Sequence, residues 1–353
     1  MAVKWGVIGA GGIADRRTIP EMVKVADNAE LVAVMDLNPE AARRVAAKYG
    51  VSAAYTTEEE LLRDPQVEAV YIATPQNVHH RQVLAAAERG KHIFCEKPMA
   101  TSLSDAEEMI DACHKAGVLL GFDYMMRFNI HNLKIREYVQ SGALGQPVMG
   151  RAELTCWFPP IPGAWRQKRE IAYGGSLIDM GSHCLDLLEW ILDSRITEVF
   201  AFHDHLVHPY DVEDTSTTVL RFENGAHGIV DNYFNVPDEA ARNLLEVYGT
   251  QGSILAAGTV GQDPTGTFTT RLAPPGQAYS ANQVRDADAG VKTETHEYEG
   301  VAMYGTMVRL FSEAIRSGGQ PPVSAEVGYH NLQVLLAIYE AARSGKPVKI
   351  HYA

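Results

Sequence analysis

Apolar runs and helical spacing alternate along the first third of the chain. Val3–Ile8 is a short apolar run of strand length, and residues 31–35, 69–73, His92–Cys95 and 118–122 repeat the type. Between them lie stretches with helical spacing. Pro39–Tyr49 has Pro39 at its start and Gly50 at its end, residues 78–89 close on Gly90, and residues 104–116 follow. Strand–helix alternation of this kind predicts a parallel sheet with right-handed crossovers.

Beyond about residue 145 the pattern changes. Residues 148–156, 196–205, Thr215–Phe222, 228–234 and 244–248 alternate apolar and polar positions. Glu223-Asn224-Gly225 reads as a hairpin turn, and Gly249-Thr250-Gln251-Gly252 as another. One helical stretch, 176–192, interrupts this mostly antiparallel sheet. Residues 258–300 read as loops with a weak strand or two. Two helical stretches, Met303–Ser317 and 327–344, and a short strand at 348–351 close the chain. The expected architecture is an α/β dinucleotide-binding domain over 1–122, then an α+β domain with a large open sheet over 123–353. The last helices are able to pack back on the first domain.

Composition narrows the function. The 353 residues suggest two domains, and 46% hydrophobic with 21% charged residues is an ordinary globular composition. A net charge of -13 without a basic run argues against nucleic acid and anionic membranes. Cys95, Cys113, Cys156 and Cys184 are far apart and read as reduced thiols. The first strand leaves no room for a signal peptide, and no apolar run approaches membrane length, so the cytoplasm is expected.

The candidate chemistry begins at Gly9, Gly11 and Ala14, which match G-x-G-x-x-A with Gly12 and Ile13 inside the loop. A strand precedes the motif, a helix follows, and Asp36 ends the next strand, which is the context of a dinucleotide site. A carboxylate at 36 accepts hydrogen bonds from ribose hydroxyls and repels a 2′-phosphate. No basic residue follows until Arg43 and Arg44, inside the helix. The expectation is NAD rather than NADP. Asp36 as a plain helix cap before Pro39 is compatible with that role.

Glu96-Lys97-Pro98 follows a buried strand about ninety residues after the glycine motif, and Asp179 and His183 stand four apart on one helix face. Together with Gly9–Ala14, Thr74-Pro75, His79 and the run from Gly174 to His183, these residues resemble the glucose–fructose oxidoreductase/inositol dehydrogenase/MocA family over essentially the whole chain. The resemblance implies a Rossmann domain and an open antiparallel sheet whose outer face builds homodimers or homotetramers. It also implies that Asp179 and His183 face the nicotinamide. An imidazole titrates near neutral pH, so His183 is the expected general acid/base. Lys97 would favour alkoxide charge on the reacting oxygen, and Asp179 would contact substrate or orient the polar network. Thr74 and Pro75 are expected along the nicotinamide. His79 and Glu96 are expected as supports of the cofactor side. The Lys97–Pro98 bond is a candidate cis peptide.

Tyr124, Arg127, Trp165 and Arg166 are candidate substrate contacts, with core packing as the alternative for Trp165 and a brace as the alternative for Arg127. His203, His205 and His208 with Asp204 and Asp211 could suggest a metal, but they read better as a polar strand end. No metal is expected. The leading function is NAD-dependent oxidation of a secondary hydroxyl on a sugar, cyclitol or related polyol. The alternatives are redox-neutral chemistry with retained NAD and a non-catalytic nucleotide-sensing regulator.

Overall fold

The computed structural model describes residues 1–274, 276 and 290–352. The chain divides into two compact units. One holds residues 1–125, 168–173 and 302–333, and the other 126–167, 174–301 and 334–353.

In the first unit six strands run parallel: β1 (Val3–Ile8), β2 (Ala29–Met35), β3 (Ala53–Tyr55), β4 (Ala69–Ile72), β5 (His92–Cys95) and β6 (Leu120–Phe122). Their order is β3-β2-β1-β4-β5-β6, so the direction of winding reverses between β1 and β4. Val3, Trp5, Val7, Val70 and Ile72 are fully buried, as expected of strands covered on both faces. The helices are α1 (Ile19–Val25), α2 (Pro39–Tyr49), α3 (Glu58–Arg63), α4 (His79–Glu88) and α5 (Leu103–Ala116). The side chain of Asn38 caps α2, accepting from Glu40 N and Ala41 N, and Gly50 ends it at φ +71°. Asp36 therefore does not cap that helix.

The second unit opens with α6 (Ile130–Gln140), which the sequence pattern did not suggest. Its sheet has nine strands: β7 (Pro147–Thr155), β8 (Ile196–Asp204), β9 (Thr215–Phe222), β10 (His227–Tyr233), β11 (Leu244–Gly249), β12 (Gly252–Ala257), β13 (Thr267–Leu272), β14 (Lys292–His296) and β15 (Val348–Lys349). The order is β14-β13-β12-β11-β7-β10-β9-β8-β15, antiparallel throughout except for the parallel pair β7–β10. The region 258–300 thus contributes β13 and β14, while 277–289 lie outside the described residues. Before the central helix, α7 (Arg169–Ala172) is a single turn that belongs to the first unit. There the Gln76 side-chain amide donates to the Ala172 carbonyl.

The helix expected over 176–192 is not one regular α-helix. It opens as a π-helical turn, Leu177–Gly181, and continues as α8 (Ser182–Leu192). Cys184, Leu185, Leu187, Leu188 and Ile191 of α8 are fully buried. Two long helices follow. α9 (Met303–Ser317) packs on α1 in the first unit, and Trp5 Nε1 donates to Ser312 Oγ at 3.0 Å. α10 (Ala325–Ser344) gives its first half to the first unit and its second half to the second.

Candidate active site

Each candidate residue of the first unit follows the carboxyl end of a strand. The glycine loop follows β1, Asp36 follows β2, Thr74-Pro75 follow β4 and Glu96-Lys97 follow β5. That edge, at the point where the strand order reverses, is where open α/β sheets bind ligands. Gly9 has φ +85°, and a Cβ there would stand 2.9 Å from the Ala73 carbonyl oxygen. Gly12 has φ +54° with nothing within 4 Å of an added Cβ. The loop thus offers close backbone and open space, which fits a dinucleotide pyrophosphate.

Asp36 stands beside this loop. Its Oδ2 accepts from Gly11 N at 3.0 Å and its Oδ1 from Asn38 N at 2.9 Å. The nearby cations Arg44 and Lys48 are engaged elsewhere, on Asp15 at 2.6 and 2.7 Å. Nothing in this arrangement offers a basic partner to a 2′-phosphate from those two side chains.

His79 is fully buried and joins two loops of the same edge. Its Nδ1 lies 3.0 Å from the Pro98 carbonyl oxygen and its Nε2 3.0 Å from that of Thr74. Burial lowers its pKa, while the carbonyl contacts oppose that shift. Thr74 Oγ1 in turn donates to Gln82 Oε1 at 2.5 Å. The Lys97–Pro98 peptide is cis. Lys97 is half-buried, and its neighbour Glu96 ends a polar chain in which Thr18 Oγ1 donates to Tyr71 Oη at 3.0 Å and Tyr71 Oη to Glu96 Oε1 at 2.5 Å. Asp123, 1% exposed, belongs to the same group, and burial followed by the Glu96 charge pushes its carboxyl well above the ordinary range.

In the second unit Asp179 sits in the π-helical turn and His183 in the first turn of α8, where it is buried at 8% exposure. Arg166 Nε reaches Asp179 Oδ1 at 3.4 Å, and its guanidinium lies 4.3 Å from the Trp165 ring centre. Trp165 is half-buried. Arg127 makes a two-pronged ion pair with Asp186 of α8, at 2.8 and 2.5 Å. Tyr124, which belongs to the first unit, is 1% exposed. Asn129 is fully buried and caps α6.

The histidine-rich strand end has ordinary partners. His205 Nδ1 lies 3.0 Å from the Tyr210 carbonyl oxygen and His208 Nε2 3.1 Å from that of Phe234. Burial lowers His203 to about 4. Among the described residues no group of three or more His, Cys, Asp or Glu side chains could hold a metal ion. The four cysteines are free thiols, and burial pushes Cys113, Cys156 and Cys184 up to about 12. No described helix is long and apolar enough to cross a membrane.

Sequence reasoning passed over Gln76 and Glu213, both of which hold backbone next to the glycine pair 174–175. The only signal for Glu213 was an acidic pair entering a strand, Glu213-Asp214.

A parallel sheet in this order with a glycine loop after β1 defines a Rossmann-type nucleotide-binding protein. Comparison with known proteins names the family. The profile of an oxidoreductase family with an NAD-binding Rossmann fold matches residues 3–124, and that of the GFO/IDH/MocA C-terminal domain matches 132–255. The chain belongs to the glucose–fructose oxidoreductase/inositol dehydrogenase/MocA family. It is 32% identical over 348 residues to a 1,5-anhydro-D-fructose reductase of Ensifer adhaerens, covering 98% of both chains. It is 31% identical over 353 residues to a myo-inositol 2-dehydrogenase of Thermotoga maritima, again covering 98% of both. Among solved structures, an aldose-aldose oxidoreductase from Caulobacter crescentus complexed with glycerol superposes with a TM-score of 0.86. It is 28% identical and covers 99% of this chain and 100% of that one.

Proposed function

We propose that this protein is an NAD-dependent oxidoreductase that moves a hydride between a secondary hydroxyl of a sugar, cyclitol or related polyol and the nicotinamide. The observation that carries this reading is the placement of the glycine loop, Asp36, Thr74-Pro75 and Lys97 along one carboxyl edge of the parallel sheet. The relatives' own substrates supply the substrate class. NAD, when bound, supplies the hydride acceptor. Gly9, Gly11, Gly12, Ile13 and Ala14 would hold its pyrophosphate and Asp36 its ribose, with Thr74, Pro75, His79 and Glu96 shaping the nicotinamide side.

His183 takes the hydroxyl proton as the carbon is oxidised and returns it in the reverse direction. Lys97 donates a hydrogen bond to the same oxygen, stabilising alkoxide character there. Asp179 orients the substrate hydroxyls together with Arg166. Trp165 completes the substrate assignment, while Tyr124, 1% exposed, and Arg127, paired with Asp186, support the site as packing and brace. A homodimer or homotetramer belongs to the same reading. Phe202 and Val219, 65% and 48% exposed on the neighbouring strands β8 and β9, support it.

The test is absorbance at 340 nm with NAD across inositols, aldoses, sugar acids and glycosides. NADH formation with one polyol class is expected, and Lys97→Ala and His183→Ala should each lower kcat by about 10²–10⁴-fold. Full activity in both variants would remove these residues from the mechanism. A second reading is favoured by the aldose-aldose oxidoreductase neighbour. In it, hydride passes between two sugars through retained cofactor. NAD released on denaturing the purified protein, with no net NADH from any single polyol, would select it.

A further inference from the structure

The run that carries Asp179 and His183 starts on two glycines, and a buried acid with its tyrosine partner accounts for them. A Cβ on Gly174 would stand 1.8 Å from the Tyr339 hydroxyl oxygen, and one on Gly175 2.0 Å from the Glu213 carbonyl oxygen. The glycines therefore make room for packing inside the second unit.

Glu213 is 3% exposed. One of its side-chain oxygens, Oε1, accepts three bonds: Gly175 N at 2.8 Å, Leu177 N at 3.2 Å and Tyr339 Oη at 2.7 Å. Its backbone carbonyl accepts from Ser176 N at 3.0 Å. Three consecutive backbone N–H groups thus end on one residue. The helical pattern takes over next, with Asp179 N donating to Gly175 O at 3.1 Å. The first N–H groups of a helix have no partner within it, and an acidic acceptor suits the positive end of the helix dipole. Hydrogen bonds to a charged acceptor are also the stronger kind. Burial raises the Glu213 pKa, and the Tyr339, Gly175 and Leu177 donors oppose that rise.

The parts come from three places in the fold. Glu213 precedes β9, Tyr339 lies in α10, and the held segment enters the π-helical turn. The Tyr339 ring is itself packed edge-on against His203, with ring centres 5.1 Å apart. Asp214, the next residue, accepts from Leu206 N, Val207 N and His208 N at 2.8–2.9 Å and so anchors its own loop. The base of the clamp is thereby fixed.

We propose that Glu213 is a positioning residue: with Tyr339 it holds 174–177 in place and so sets where Asp179 and His183 stand during hydride transfer. The inference rests on the reaction proposed above. Glu213 touches neither reacting atom and acts only through the segment it holds.

The test compares Glu213→Ala, Glu213→Gln and Tyr339→Phe with the wild type by three measurements: steady-state kinetics, NAD affinity, and hydrogen exchange of the amides in 174–183. Misplacing a reacting group by about 1 Å can cost on the order of 100-fold. Glu213→Ala should therefore speed exchange across 174–183 and lower kcat by at least about ten-fold. NAD affinity should hold, because the glycine loop lies in the other unit. Glu213→Gln, which keeps the acceptor oxygen, should recover most of kcat, and Tyr339→Phe should fall between them. If Glu213→Ala does not fold, Tyr339→Phe decides, with faster exchange and lower kcat expected together. Unchanged exchange, or faster exchange with unchanged kcat, overturns the inference while leaving the reaction standing. A wild type silent on every polyol overturns the reading of the reaction and this inference with it.

Discussion

Asp36 holds two backbone N–H groups, Gly11 and Asn38, and this fixes its charge beside the glycine loop. Two unit charges about 4 Å apart at an effective dielectric near 20 interact by on the order of 4 kcal/mol. A 2′-phosphate at the ribose would meet that repulsion. Asp36→Asn keeps an oxygen for Gly11 N and removes the charge. It should raise kcat/KM with NADP relative to NAD by at least about ten-fold, since even 1.4 kcal/mol of relief suffices. An unchanged coenzyme ratio would detach Asp36 from discrimination. Residues of this kind were legible because the glycine loop and the next strand's terminal acid have fixed sequence spacing. Glu213 was not, because nothing local distinguishes an acid that accepts from a segment 38 residues earlier. His79 was legible as a support, but its two carbonyl partners, one of them 19 residues on, were not.

Elements show the same division. α2 was readable to the residue because Pro39 and Gly50 mark its ends, and α9 because its apolar face is regular. α3 is six residues long with three acids at its start, and its Thr57/Glu60 capping box was its one sequence signal. α6 was hidden because His131 and Asn132, both fully buried, break its apolar face. The π-helical turn before α8 follows a segment held by Glu213 from 38 residues on, and local propensity gives no sign of it. Next to that turn, Arg127 holds Asp186 with both side chains largely buried, at 14% and 2% exposure. Removing one partner of a buried pair typically costs about 3–5 kcal/mol. Arg127→Ala should lose stability of that order in urea unfolding. Arg127→Lys should recover only part of it, since a point charge cannot match the two-pronged geometry. A loss under about 1 kcal/mol would place the pair among ordinary surface bridges.

At the scale of the whole molecule, Arg316 ties the start of the chain and Glu68 to α9. Arg316 of α9 binds both oxygens of Glu68 at 2.8 Å and the carbonyls of Met1 and Ala2. The Arg316 hydrogen bond is the largest effect on the Glu68 carboxyl, lowering it from 4.5 to about 2. A lowered carboxylate pKa adds stability above the ordinary value, and that share is lost as pH falls from about 4.5 toward about 2. Both side chains are more than a third exposed, so solvent screening holds the contribution to about 1 kcal/mol or less. Arg316→Ala should lower Tm at pH 7, and its gap from the wild type should close on acidification through that window. A gap that persists at pH 2 would assign the effect to the carbonyl contacts instead.

The nucleotide-binding unit is written in three separated stretches of chain, and this bears on the order in which the protein can be made. Trp5 and Phe94, laid down early, each meet Phe311 of α9 with ring centres 5.7 Å apart. Gly121 of β6 bridges to Ser324. At a ribosome's pace the stretch between residues 125 and 302 takes roughly 10–35 s to synthesise. Through that interval the emerging parallel sheet lacks the helix that covers Trp5 and Phe94. The core of this unit can close only after α9 has left the ribosome.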